Sequence, residues 1–122
     1  MKIITDIEDA KALLKAYAGG MSKIAFYSES LSRIAIRLTV PDVDEVIYLI
    51  GVGCERINGS FSFPNVALSI EQHFSEEVPE FLTIIRDKRS GFELITTGGF
   101  TIAHGLESEF GSAYENLISP SS

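Results

Sequence analysis

The chain has 122 residues and a formal net charge of −7, with 45% hydrophobic and 22% charged residues. That balance excludes a disordered chain, a collagen-like repeat and a coiled coil, and a domain of this length buries roughly two thirds of the surface its unfolded chain exposes, enough for one core. The acidic excess argues against nucleic acid, because a negative surface gains no affinity from phosphate counterion release, and the longest apolar stretch, Val46 to Val52, is far too short to span a bilayer.

The first predicted element is a helix. Thr5-x-x-Glu8 has capping-box form, and Ile7, Ala10, Leu13, Leu14 and Tyr17 follow at helical spacing as one apolar stripe. Gly19-Gly20 supplies a left-handed stop. Two strands follow. Ile24 and Phe26 alternate with Lys23, Ala25 and Tyr27; Ile34, Ile36, Leu38 and Val40 alternate with Arg33, Ala35, Arg37 and Thr39. The second run reads as a half-buried strand with two arginines on its wet face. From Glu45 to Ile57 both faces are apolar, which predicts a central, covered strand. Asn58-Gly59 then reads as a type I′ hairpin turn into a strand at Ser60 to Phe63. Pro64 interrupts the ladder and makes that strand a bent or edge strand. Val66, Leu68 and Ile70 alternate again.

Over residues 75–89 the spacing of Val78, Phe81, Leu82 and Ile85 predicts a helix. Ser75 stands as N-cap, glutamates lie at its front and Arg86, Lys88 and Arg89 at its back. The competing reading is a strand from Phe81 to Arg86 that turns at Asp87 to Gly91. Phe92, Leu94 and Thr96 form a further strand, Gly98-Gly99 breaks it, and Phe100, Ile102 and His104 continue it. Leu106, Phe110, Ala113, Tyr114, Leu117 and Ile118 fit the face of a short C-terminal helix. The expected whole is a single α+β domain over residues 1–118 with a tail at 119–122. Its sheet is mainly antiparallel, of about five to six strands, carrying an N-terminal helix, the helix near 75–89 and the C-terminal helix.

Chemistry is sparsely signalled. Gly51-Val52-Gly53 lacks the third glycine of a dinucleotide fingerprint, since position 56 is Arg56, so these glycines read as close packing or a bulge. Cys54 is the only cysteine and reads as a small core residue. It cannot form an intramolecular disulfide, and no apolar leader follows Met1, so the expected setting is the cytoplasm. Glu71 and His73 lie two apart and share a strand face; with His104, and Cys54 nearby, they would form a two-histidine, one-carboxylate site. No ligand-spacing motif supports it, and no metal, cofactor or catalytic residue is assigned from the sequence.

The expected function is therefore non-catalytic: protein–protein contact, by self-association as a homodimer or with another protein, and with neither nucleic acid nor membrane as partner. The expected contact surface is the hairpin around Asn58 with Glu55, Arg56, Phe61 and Phe63, the two phenylalanines exposed on an edge strand. Two alternatives stand beside it. One is a small-molecule- or metal-binding enzyme built on Glu71, His73, His104 and Cys54. The other is an acidic inhibitor or immunity-type protein that covers a basic partner with Glu71, Glu76, Glu77 and Glu80, motivated by the nine acids and three bases that follow residue 70.

Overall fold

In the computed structural model, which describes residues 1–30, 32–75 and 80–110, the chain opens with a short strand, β1 (Lys2–Ile4), that the sequence pattern does not announce. The helix α1 (Ile7–Ala16) follows. Its N-cap is Asp6, not Thr5: the Asp6 carboxylate accepts the Asp9 N–H at 3.0 Å. A carboxylate at N-cap satisfies a free N–H and favours the positive helix end, so the cap sits one residue later than the Thr5 pattern predicts. Ala10, Leu14 and Tyr17 are buried along the predicted stripe.

The remaining elements are strands: β2 (Met21–Ser28), β3 (Arg33–Thr39), β4 (Glu45–Val52), β5 (Cys54–Asn58), β6 (Ser62–Phe63), β7 (Leu68–Ser75), β8 (Glu80–Asp87), β9 (Phe92–Thr96) and β10 (Phe100–Leu106). They form two sheets with every pairing antiparallel, one of six strands in the order β1-β10-β4-β3-β2-β6 and one of four in the order β5-β9-β8-β7. The α+β expectation holds at that coarse level, with two sheets instead of one.

The helix expected over 75–89 is a strand. β8 pairs with β7 from Glu80 to Asp87, and Thr83, Ile85 and Asp87 are buried in alternation. Leu82 to Ile85 is rich in β-branched residues, which suit a pleated surface, and pairing on both sides overrides the accidental helical spacing. The turn falls where the competing reading puts it. Asp87 Oδ1 accepts the N–H groups of Arg89 and Ser90, and Oδ2 accepts that of Ala67. Of the C-terminal helix, Leu106 ends β10, Glu107–Glu109 is a single 3₁₀ turn and Phe110 follows it, buried; Ala113, Tyr114, Leu117 and Ile118 lie outside the described residues.

Two more expectations shift. Asn58-Gly59 closes no hairpin: β5 pairs with β9 in one sheet and β6 with β2 in the other, so Asn58-Gly59 carries the chain between sheets. In β2 a bulge between Ile24 and Phe26 breaks the alternation. Ile24 stays opposite Ile36 on the inner face, while Phe26 comes opposite Ala35 on the outer face and is 40% exposed.

The long apolar segment does not run as one strand. It bends at Gly53, from β4 in one sheet to β5 in the other, and its partner bends beside it from β9 to β10 through residues 97–99. The two make one antiparallel ribbon folded over a corner. Gly98 N–H donates to Val52 O at 2.8 Å and Thr97 N–H to Gly53 O at 2.9 Å. Gly53 has φ +69, and a Cβ on Gly98 would lie 2.9 Å from the Val52 carbonyl oxygen. The corner thus needs glycine for conformation at one position and for space at the other.

The main core lies between the sheets. Across the larger sheet, Ile24, Ile36, Leu49, Ile102 and Ile4 form one inner row. Facing it are Ile70, Ile85, Phe92 and Leu94 of the smaller sheet, and α1 adds Ala10, Leu14 and Tyr17. A second cluster, Ala35, Val46, Tyr48, Ile50, Ala103 and Phe110, lies on the outer face of the larger sheet.

Candidate binding face

β7 is an edge strand, and its neighbours show which of its backbone groups are free. Val66 N–H donates to Gly20 O at 3.1 Å and Val66 O accepts Gly19 N–H at 2.7 Å, both away from β8. Ala67 N–H turns back toward Asp87. Backbone groups alternate along an antiparallel strand, so Leu68, Ile70, Gln72 and Phe74 aim their N–H and C=O groups outward, where no strand pairs with them among the described residues. An edge of this length is a template for another chain.

Two apolar features flank it. Between α1 and β7 runs a groove of about 400 Å³, with Leu14, Ala18, Leu68 and Ile70 along it and Lys11 and Lys15 at its margin. At the far end of the strand, Phe74 and Phe81 face each other across the β7–β8 ladder with ring centroids 5.3 Å apart, yet 55% and 62% exposed. Sequence reading missed this edge because residues 75–89 read as helix, which removes the ladder that makes β7 an edge. The alternation Leu68, Ile70, Gln72, Phe74 was the signal available.

The residues singled out from the sequence are scattered. Glu55, Arg56 and Asn58 are exposed on β5, the opposite edge of the smaller sheet, where the register shifts between Cys54 and Arg56. Phe61 is 78% exposed beside β6, and its carbonyl accepts Ile24 N–H at 2.7 Å. Phe63 is not exposed: it is buried, with its ring 5.4 Å from that of Phe92. Period-2 alternation put both phenylalanines on one face, but Phe61 lies outside the two-residue strand and follows no such rule.

Glu71 and His73 do meet, with His73 Nε2 3.0 Å from the Glu71 carboxylate; this hydrogen bond holds the Glu71 carboxyl below the usual carboxylate range. His104 is not with them. It lies in the other sheet, with Nε2 3.2 Å from the Tyr17 hydroxyl and 4.0 Å from the Glu45 carboxylate. Tyr17 donates to the Glu45 carbonyl at 2.8 Å, and burial raises its phenol pKa. This cluster ties the end of α1 to β4 and β10. Among the described residues no group of three His, Cys, Asp or Glu side chains can hold a metal ion, so the two-histidine site of the alternative reading does not form there. Cys54 is half-buried, as a packing residue would be, and burial pushes its thiol up to about 11, away from the thiolate a nucleophile needs.

No helix among the described residues is long and apolar enough to cross a membrane. Comparison with known proteins returned no match: no family model, no curated protein and no solved structure matches the chain.

Proposed function

We propose that the chain is a non-catalytic domain that acts through protein–protein contact and self-associates as a homodimer. The observation that carries this reading is the β7 edge, with outward backbone groups at Leu68, Ile70, Gln72 and Phe74, between an apolar groove and an exposed aromatic pair. Strand addition to such an edge draws affinity from main-chain hydrogen bonds and specificity from alternate side chains. The proposal carries over the cytoplasmic setting expected from the sequence; the free thiol of Cys54 supports it.

Native mass spectrometry across a dilution series tests the reading. A species of twice 13.4 kDa that dissociates on dilution is the expected result. A 13.4 kDa monomer at every concentration overturns the homodimer. Phe61→Ser in the same assay tests the surface expected from the sequence; with β7 as the contact, this variant dimerises like the parent.

A further inference from the structure

We infer that the second copy adds its own β7 antiparallel to this β7, in a register centred on Gln72, joining two four-stranded sheets into one of eight. The inference rests on the homodimer reading and assigns its surface and register.

The strand is complementary to itself about Gln72. An antiparallel pairing centred there sets Glu71 opposite the partner's His73, and Ile70 opposite the partner's Phe74, each contact occurring twice by symmetry. A carboxylate opposite an imidazole that can hydrogen-bond it, and apolar pairs directly across a ladder, stabilise it. Other centres lose this match. Centring on Glu71 sets two carboxylates face to face, and centring on Ile70 sets Leu68 against Gln72. The backbone agrees, because Ile70, Gln72 and Phe74 are residues whose N–H and C=O groups point outward. Three hydrogen-bonded pairs then form, 70 with 74, 72 with 72 and 74 with 70, each exchanging two N–H···O bonds.

The side chains agree as well. Opposite Ile70, the partner's Phe74 stands on the inner face at the margin of the α1–β7 groove. It meets an apolar wall of Leu14, Leu68 and Ile70. A ring that is 55% exposed in one copy thereby covers a 400 Å³ groove in the other, and the exchange is reciprocal. An exposed ring and an open groove are two separate observations, and this register joins them.

Cysteine cross-linking tests the register. In a Cys54→Ser background, Glu71→Cys and His73→Cys chains are prepared separately and mixed in equal amounts under mild oxidation. Directly opposed residues at a non-hydrogen-bonded position come about 4.5 Å apart at Cα, within disulfide reach. The expected result is a disulfide dimer in the mixture and none with either chain alone, since like positions lie two residues out of register, more than about 7 Å apart. Gln72→Pro is the second variant. Its N–H points away from β8, on the edge that no strand covers among the described residues, so proline leaves the fold's ladder intact while removing the central intermolecular bonds. It is expected to keep the parent's circular dichroism and melting profile and to lose the dimer. If the parent dimerises while the mixed cysteines fail to cross-link and Gln72→Pro still dimerises, the β7 register is overturned and the homodimer reading survives. If the parent is monomeric, the homodimer reading fails and takes the register with it. If Gln72→Pro does not fold, the cysteine mixture decides alone.

Discussion

Thr83 is 1% exposed on the inner face of β8, and its hydroxyl has no hydrogen-bond partner among the described residues. A buried polar group left unsatisfied costs about 1–3 kcal/mol, and an isosteric apolar replacement removes that cost. Thr83→Val is therefore expected to stabilise the fold by about 1 kcal/mol, read as a higher urea midpoint at unchanged slope. Cys54 makes the opposite point about reactivity. Its thiol is raised from 9.0 to about 11, so at pH 8 its thiolate fraction falls on the order of 100-fold. Alkylation of the folded chain by iodoacetamide is expected to be slower than that of the urea-unfolded chain by about that factor. Linkage carries the same sign. A raised acid pKa stabilises the fold below the unfolded value and ceases to do so as pH rises through the folded one. The sequence identified Cys54 as a packing residue because its type and apolar neighbours are local facts. It could not identify Thr83 as unsatisfied, because that depends on what the opposing sheet does or does not offer.

At the scale of elements, the corner is the most demanding local geometry. Gly53→Ala must hold a left-handed conformation, at about 1–2 kcal/mol, and its Cβ would lie 2.8 Å from the Thr97 hydroxyl. The expected loss is about 2 kcal/mol or more, read as a lower thermal midpoint. The glycines here were legible as a bulge or close contact, but not as the place where a ribbon passes from one sheet to another. Only the pairing of β5 with β9 and β4 with β10 shows that. The helix expected over 75–89 illustrates the converse. Phe81, Leu82 and Ile85 satisfy a helical period, while Thr83 and Ile85 alternate as a strand does, and so short a run carries both patterns. The ladder with β7 on one side and β9 on the other decides for the strand. The same decision creates the β7 edge, so one misread element hid the candidate binding face.

At the scale of the molecule, Glu107 holds the outer face of the larger sheet together. Its carboxylate accepts from Arg37 at 2.6 Å and from the Tyr48 hydroxyl at 2.9 Å, while the Phe110 ring lies 4.7 Å from that of Tyr48. The Arg37 hydrogen bond depresses the Glu107 pKa. A depressed carboxylate contributes stability above its unfolded value of about 4.3 and loses it as pH falls through the folded value. Glu107→Gln is expected to flatten the acid limb of stability against pH, by about 1 kcal/mol or less because the pair is screened by solvent. Net charge acts on assembly. Two copies each carrying −7 repel at long range, so under the proposed homodimer raising salt from about 20 mM to about 150 mM is expected to tighten association. Sedimentation at the two ionic strengths checks this.

What the sequence determined by itself is what short-range physics controls. α1 and its buried stripe, the covered central strand β4, and the strands at 33–39, 92–96 and 100–106 all follow from patterns within a few residues. The tertiary structure decided everything that requires two distant segments to meet. It split the strands between two sheets, buried Phe63 while leaving Phe61 exposed, and parted His104 from Glu71 and His73. It also left the outer edge of β7 without a strand partner among the described residues, beside an apolar groove. A residue's period is set by its neighbours in the chain, but its burial and its partners are set by which strand lies alongside, and that choice belongs to the whole core.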